Sequence, residues 1–228
     1  MYFMTADYSG PLKGGPGDIV VLKARDGKGK EEILLAFLCY SKDQSFTEGL
    51  RQIFIETMSR NVRSPGKALI RAVKIYFQNQ FQNHFQDHFQ NQFKDPSGSD
   101  LLPQICGIIC VDHTFFSFQN NGMIMMLSTR WGESVCTYRS VGEGSFSMES
   151  GMYEEGIGIL LSMLGEAPFY DVTLLQKGTW EKSLNPERIK NCGQMERCLK
   201  EAMEHSTDRP IHGDFIWILP KEGEDYCV

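Results

Sequence analysis

A continuous apolar run opens the most informative stretch of the chain. Residues Ile33–Leu38 predict a strand covered on both faces, because no polar residue alternates with the apolar ones. A polar loop follows, and the spacing of apolar residues then predicts a helix from Thr47 to Arg60. Upstream, Asp26-Gly27 is typical of a hairpin turn, so residues 18–38 are predicted to form two antiparallel strands. A strand, a polar loop and a helix form a frame in which proteins often place their chemistry.

A second predicted helix carries an unusual aromatic repeat. Ser64-Pro65 is typical of a helix start, and apolar residues follow at helical spacing. Phenylalanine then recurs at every fourth position, at residues 77, 81, 85, 89 and 93. Each step turns the side chain by about 40° around the helix, so Phe77 and Phe93 lie on nearly opposite faces. One sheet cannot cover all five rings. Two interpretations stay open: the helix end overhangs and meets a loop or a second chain, or it binds a partner groove.

The remainder of the chain alternates short apolar runs with turns. Further strands are predicted to begin near Gln104, Thr114, Gly122, Val135, Ile159, Phe169 and Phe215, and further helices near Asn185 and Gln194. Successive short strands favour antiparallel sheets, so the predicted fold class is α+β. The 228 residues show no long linker and predict one domain, 1–228. Residues 94–103 and 141–158 are predicted to be exposed loops, and 221–228 a loose acidic tail.

The amino-acid composition limits the classes of partner and the cellular compartment that we expect. The net charge of −6 argues against nucleic acid and anionic membranes as partners. No apolar run approaches the ~18 residues of a membrane span, and the first ten residues lack the basic and apolar parts of a secretory signal. Seven cysteines without a CxxC pair favour a reducing compartment. We therefore expect a cytoplasmic protein.

Several short motifs, taken with the order of the elements, carry a resemblance to a known family. The matching parts are Gly10, Lys13 and Asp18 at the start, Phe118–Met123 in a middle hairpin, then Leu174–Trp180, Ser183–Ile189, and Asp214 before the last strand. In order and spacing they are similar to the metal-dependent Ser/Thr protein phosphatases of the PP2C (PPM) family. The resemblance covers nearly the whole chain. It implies a β-sandwich of mostly antiparallel sheets flanked by helices.

Two positions depart from the metal site that this resemblance implies. The family holds two Mg²⁺ or Mn²⁺ ions between carboxylates and uses them to activate a water against a phosphate ester. Cys39 stands where the family has a bridging acid, and Lys177 where it has another metal-binding Asp. A thiol removes two oxygen ligands, and an ammonium repels a dication by several kcal/mol at ~4 Å. We expect no intact metal site and no cofactor, with Asp18, Cys39, Lys177 and Asp214 as vestigial candidates.

Each of these residues also has a plainer interpretation. Lys177 is either an exposed turn lysine or pairs with Asp18 or Asp214 in place of the ion. Both aspartates are also typical of surface acids at strand ends. Cys39 lies between a strand and a helix, which suits a nucleophile. No histidine base is near it in the sequence, however, so we favour a buried structural thiol.

The sequence as a whole predicts a catalytically impaired PP2C-like pseudophosphatase that acts as a protein-binding or regulatory module. Its partner would be a protein, either phosphorylated or bound through the Phe77–Phe93 helix, and a homo-oligomer stays open. The alternative is an active metal-dependent Ser/Thr phosphatase that binds Mn²⁺ or Mg²⁺ through displaced ligands. The acids available for that role are Asp43, Glu48, Asp171 and Glu181. The sequence names no partner, substrate or pathway.

Overall fold

The computed structural model describes part of the chain. The described residues are 2–7, 18–25, 32–41, 44–60, 62–91, 104–120, 123–130, 133–140, 146–153, 157–164, 185–186, 188–189, 191–204 and 213–219. They form the strands β1 (Tyr2–Asp7), β2 (Asp18–Arg25), β3 (Glu32–Tyr40), β4 (Gln104–Val111), β5 (Thr114–Gln119), β6 (Met123–Arg130), β7 (Glu133–Ser140), β8 (Ser147–Met152), β9 (Gly158–Leu164) and β10 (Gly213–Leu219). They also form the helices α1 (Gln44–Ser59), α2 (Pro65–Asn91) and α3 (Cys192–Glu204).

The strands form two five-stranded sheets. The first sheet has the order β2-β3-β4-β5-β8, and the second has the order β1-β10-β9-β6-β7. All neighbouring strands in the described residues pair antiparallel. Helices α1 and α2 pack on the first sheet, and α3 contacts β1 of the second. This architecture confirms the predicted α+β class.

Strand β3 is buried on both faces, as its apolar run predicts. Every residue from Ile33 to Cys39 is at most 1% exposed. One alternate set of side chains packs under the helices, in a helix-side layer that includes Ile33, Leu35, Phe37, Cys39, Leu50, Val73 and Phe77. The other set packs against the second sheet, in an inter-sheet layer that includes Leu34, Ala36, Leu38, Ile108, Ile159, Leu161 and Ile216. Each buried aliphatic side chain stabilises the fold by roughly 1.5–3 kcal/mol, so β3 anchors both layers.

The two long helices meet where α1 lacks a side chain. Gly49 of α1 lies against the Tyr76 ring of α2, in space that a Cβ atom would fill. The Tyr76 hydroxyl donates to the Phe46 carbonyl at 3.2 Å. Helix α2 begins at Pro65, as predicted, and the Ala68 N–H donates to the Ser64 carbonyl at 3.1 Å. The close approach brings both helices down onto the first sheet.

The aromatic repeat is helical as far as the structure describes it. Helix α2 continues to Asn91, so the backbone around Phe81, Phe85 and Phe89 is helical. Phe77 is fully buried, and its ring lies 5.0 Å from that of Phe118 and 4.9 Å from that of Phe146, measured between centroids. The side chains of the next three phenylalanines, and the whole of Phe93, lie outside the described residues. The first ring of the repeat is therefore part of the core.

Residues 141–158 are not one exposed loop, contrary to the sequence prediction. Within them lies β8, which pairs with β5 at the edge of the first sheet. Its side chains are half-buried or exposed, so no apolar pattern marks the strand in the sequence. Backbone hydrogen bonds place it, and an edge strand needs no apolar side chains to form them. The predictions for residues 94–103, the strand near Phe169 and the tail 221–228 lie outside the described residues.

Two further elements differ from the sequence prediction. Strand β1 is not predicted, and it pairs with β10, from Tyr2 opposite Leu219 to Asp7 opposite Asp214. Near Asn185, where a helix start is predicted, the described residues form a turn. There the Arg188 N–H donates to the Asn185 carbonyl at 2.9 Å. Strand β1 depends on a partner strand distant in the sequence, whereas the turn at Asn185 is held by a local hydrogen bond.

Candidate site between the two sheets

The end of β3 sends two adjacent side chains in opposite directions. Because successive residues of a strand face opposite sides, Cys39 lies in the helix-side layer and Tyr40 packs against the inter-sheet layer. Helix α1 begins at Gln44, four residues after Tyr40. The end of this strand therefore offers a thiol to one layer and a phenol to the other.

The phenol of Tyr40 reaches across to the second sheet. Its hydroxyl donates to Oδ2 of Asp214 at 2.5 Å, a distance typical of an O–H donor on a carboxylate. Asp214 is only 2% exposed and lies near the start of β10. A buried carboxylate is costly unless hydrogen bonds compensate for the lost water. The Tyr40–Asp214 pair therefore satisfies part of this cost and joins the two sheets at one end of the sandwich.

Asp18 and Cys39 lie together, on the helix side. They are opposite each other in the register of β2 and β3, and such cross-strand partners share a face. Burial raises the pKa of the Cys39 thiol to about 12; the Thr47 hydroxyl opposes the rise and the Asp18 carboxylate adds to it. A thiol with so high a pKa stays protonated at neutral pH and is a poor nucleophile and a poor metal ligand. This environment fits the structural interpretation of Cys39.

The structure describes three of the four candidate side chains, and it places them in two layers. Asp18 and Cys39 face the helices, whereas Asp214 faces the inter-sheet layer together with Tyr40. Lys177 lies outside the described residues, so its pairing with either aspartate stays a prediction. Asp18 and Asp214 lie in different layers, because their partners Cys39 and Tyr40 face opposite sides of β3. One pocket shared by all four candidates stays a prediction.

The alternative ligands are placed only in part. Glu48 is exposed on α1, and its Oε1 lies 3.6 Å from Nη1 of Arg51. Asp43, Asp171 and Glu181 lie outside the described residues. Glu48 is therefore a surface acid in the first turns of α1.

The described residues do not fit a two-ion site. Among them, no group of three or more His, Cys, Asp and Glu side chains is arranged to hold a metal ion. The two candidate aspartates face different layers, and one of them accepts a hydrogen bond from a phenol. Two Mg²⁺ or Mn²⁺ ions need several oxygen ligands on one face. The residues described here leave that donor set incomplete.

The opposite end of the inter-sheet layer also has polar contacts, but these contacts join residues of the first sheet only. Lys23 Nζ lies 2.9 Å from Glu32 Oε1, with side chains 19% and 23% exposed. Burial raises the pKa of Glu32, but hydrogen bonds and charge from positive groups, Lys23 among them, outweigh it and leave the pKa below its usual value. Nearby, the Tyr153 hydroxyl donates to the carbonyl of Asp112, whose φ is +48°. All four residues belong to the first sheet or its turns.

Tyr40 is the residue that sequence reasoning missed. The sequence does show that Tyr40 faces the same side of β3 as Leu34, Ala36 and Leu38, because alternate residues of a strand share a face. The strand is apolar on both faces, however, so the sequence does not say which parity faces which layer. The Tyr40–Asp214 pair also joins residues 174 positions apart. Only the stacking of the sheets brings them together.

Comparisons with known proteins support the fold. No protein-family profile matches the sequence, and no curated protein matches it. The serine/threonine phosphatase of S. agalactiae matches in structure with a TM-score of 0.55 at 8% identity, over 96% of this chain and 98% of that one. The PP2C phosphatase domain of SpoIIE from Bacillus subtilis, solved with a fragment of its regulatory domain, gives 0.52 at 8% identity, over 95% and 62%. The chain has the PP2C phosphatase fold.

A third structure agrees with the PP2C-like fold. The phosphatase PstP/Ppp of Mycobacterium tuberculosis gives a TM-score of 0.50 at 12% identity, over 95% of this chain and 97% of that one. The resemblance drawn from the sequence motifs is thus confirmed for the fold. Identities this low carry no residue roles across to this chain. No helix in the described part of this PP2C-like chain is both long and apolar enough to cross a membrane.

Proposed function

We propose that this chain is a catalytically impaired PP2C-like protein, a pseudophosphatase that binds another protein or regulates one. The observation that carries the proposal is the Tyr40–Asp214 pair. A phenol donates to the buried carboxylate at 2.5 Å. A cation at this carboxylate would have to bind beside that donor, and Met163 and Ile216 in the same layer supply no oxygen ligand.

The second support comes from the thiol at the neighbouring position. Cys39 is 1% exposed, and burial raises its pKa to about 12. It supplies no charge or oxygen to the inter-sheet layer. With Tyr40 on one face and Cys39 on the other, the end of β3 stabilises the sandwich and offers no group suited to activating a water molecule.

The proposal includes a protein partner and a cytoplasmic location. Cys39, Cys106, Cys110 and Cys198 are buried free thiols, which suits a reducing compartment. The partner is phosphorylated or contacts the helix that carries the aromatic repeat. A fold that carries an active site in some proteins can serve as a rigid binding scaffold in others.

Calorimetric titration with MnCl₂ and MgCl₂ tests the proposal, together with hydrolysis of a phosphoserine peptide. We expect no binding in the micromolar range and no hydrolysis above that of the Asp214→Asn variant. Micromolar Mn²⁺ binding that Asp214→Asn abolishes, with hydrolysis that depends on the metal, would establish the active phosphatase instead. Glu56→Gln is the control, because it removes one carboxylate charge at an exposed position of α1.

A further inference from the structure

The stretch that enters and forms the first half of α2 is strongly basic. Residues 57–86 contain no acidic side chain and five basic ones, Arg60, Arg63, Lys67, Arg71 and Lys74. This stretch therefore carries a charge of +5 in a chain whose net charge is −6. The remaining residues carry −11. Such a separation of charge is a feature of surface recognition and not of fold.

The helix gathers these charges on its outer side. At about 100° per residue, Lys67, Arg71 and Lys74 fall within an arc of about 60°. The core-facing residues Leu69 and Val73 lie about 100° or more from that arc and are fully buried. Phe77, also fully buried, lies about 60° from Lys74, so Lys74 borders the core side. Arg63, which precedes the helix, is exposed, as are the three helical cations. We call Arg63, Lys67, Arg71 and Lys74 the basic face.

The basic face differs from α1 in how its charges are partnered. On α1 and just after it, Arg51 lies 3.6 Å from Glu48, and Arg60 lies 3.3 Å from Glu56. Lys74 Nζ lies 4.9 Å from the centroid of the Phe116 ring. By contrast, Arg63, Lys67 and Arg71 form no ion pair with the described part of the chain. Among the described residues, no carboxylate pairs with any of these three adjacent cations.

We propose that the basic face docks an acidic segment of a partner protein, one with several Asp or Glu residues close together. Lys67 and Lys74 are about 10 Å apart along the axis at 1.5 Å per residue. An extended segment covers that length in about three residues, so closely spaced carboxylates can meet successive cations. A single phosphate is too small to contact the whole row. Long polyanions such as duplex DNA or an anionic membrane would also meet the −11 charge of the rest of the chain.

An apolar side chain lies beside the row. Ile75 is 46% exposed and follows Lys74 directly, so a partner segment that includes an apolar residue would gain contact there. The inference rests on the proposed function only in assigning the chain a binding role. It does not depend on whether a metal binds between the sheets.

Fluorescence anisotropy with a labelled oligoglutamate peptide tests the basic face, in EDTA and at low salt. We expect wild-type protein to bind, and binding to weaken at least about tenfold at higher salt because exposed charges are screened. The double variant Lys67→Glu/Arg71→Glu should weaken binding by at least about tenfold as well. The matched control is Arg197→Glu/Lys200→Glu, which makes the same charge change at exposed positions of α3. It should bind within about twofold of wild type. Circular dichroism confirms that each variant is folded.

Other outcomes overturn the inference. Absence of peptide binding at low salt, or equal weakening by the α2 and α3 variants, would show that the basic face is no docking site. Stronger binding to phosphatidylserine vesicles or to duplex DNA, lost in the α2 variant, would assign the face to a membrane or to nucleic acid. Because EDTA is present throughout, Mn²⁺-dependent hydrolysis would refute the pseudophosphatase proposal without affecting this result.

Discussion

The two ends of the inter-sheet layer are closed by different kinds of polar contact. At one end, Tyr40 of the first sheet donates to Asp214 of the second. At the other, the Lys23–Glu32 ion pair and the Tyr153 hydroxyl bond stay within the first sheet and its turns. Strand β3 spans both ends with nine residues. The Tyr40–Asp214 end therefore couples the two sheets, whereas the Lys23–Glu32 end stiffens the first sheet alone.

The largest expected effect on stability comes from placing a carboxylate at Cys39 or at Tyr40, at the end where Tyr40 and Asp214 couple the two sheets. Cys39→Asp places a carboxylate in an apolar layer beside Asp18, so we expect a loss of about 4 kcal/mol or more in the free energy of unfolding. Tyr40→Asp places it beside Asp214 at a half-buried position. There we expect a smaller loss in unfolding free energy and a rise in Tm on adding Mn²⁺, because a second carboxylate then meets Asp214 from the other sheet.

Thermal unfolding with and without MnCl₂ measures both variants. The Tyr40→Asp/Asp214→Asn double variant is the control and should show no rise with Mn²⁺. A Mn²⁺-dependent rise in Cys39→Asp, with none in Tyr40→Asp, would mean that the two side chains face the opposite layers from those described here.

The next largest effect is the loss of stability when the hydroxyl of Tyr40 or of Tyr153 is removed. Tyr40→Phe removes a hydrogen bond to a buried carboxylate, so we expect a loss of roughly 1.5–3 kcal/mol in unfolding free energy. Tyr153→Phe removes a bond to a neutral carbonyl, and we expect roughly 0.5–1.5 kcal/mol. Urea denaturation measures both. Equal losses, or a larger one at Tyr153, would remove the distinction between the two ends.

The smallest expected effect is the pH dependence of stability that arises from the Lys23–Glu32 ion pair, at the opposite end of the inter-sheet layer. The pKa of Glu32 is lowered in the folded protein, so its contribution to stability is present above the unfolded pKa, near 4.5, and is lost as the pH falls through the folded value. We expect Lys23→Met to be less stable than wild type near pH 7, by under about 1 kcal/mol because solvent screens the pair. The difference should vanish in more acidic solution. A difference that grows on acidification would contradict this account of Glu32.

The sequence predicts the frame better than the site, for physical reasons. The apolar run of β3, the Pro65 start of α2 and the Asp26-Gly27 turn are local signals, and the elements around them form as predicted. Strand β8 is not predictable in this way, because an edge strand is placed by backbone pairing and not by its side chains. The sequence also does not determine whether Cys39 or Tyr40 faces the inter-sheet layer. A strand buried on both faces has no polar side that would fix its orientation.

The candidate site depends on contacts that no local pattern encodes. Asp214 is identifiable as an acid at the start of the last strand, but its hydrogen-bond partner is not. Two sheets must stack before Tyr40 meets it. The acidic net charge similarly hides the basic face, because a total charge averages over regions of opposite sign.

The pairing of β1 with β10 has a consequence for biosynthesis. The first of these strands leaves the ribosome more than two hundred residues before the second, since Tyr2 lies opposite Leu219. At translation rates of about 5–20 residues per second, β1 waits on the order of ten to forty seconds for its neighbour. During that interval the nascent chain can assemble the first sheet with α1 and α2, while a bare strand edge stays available to chaperones. The second sheet gains β10, which pairs with both β1 and β9, only after all of its other described strands have been made.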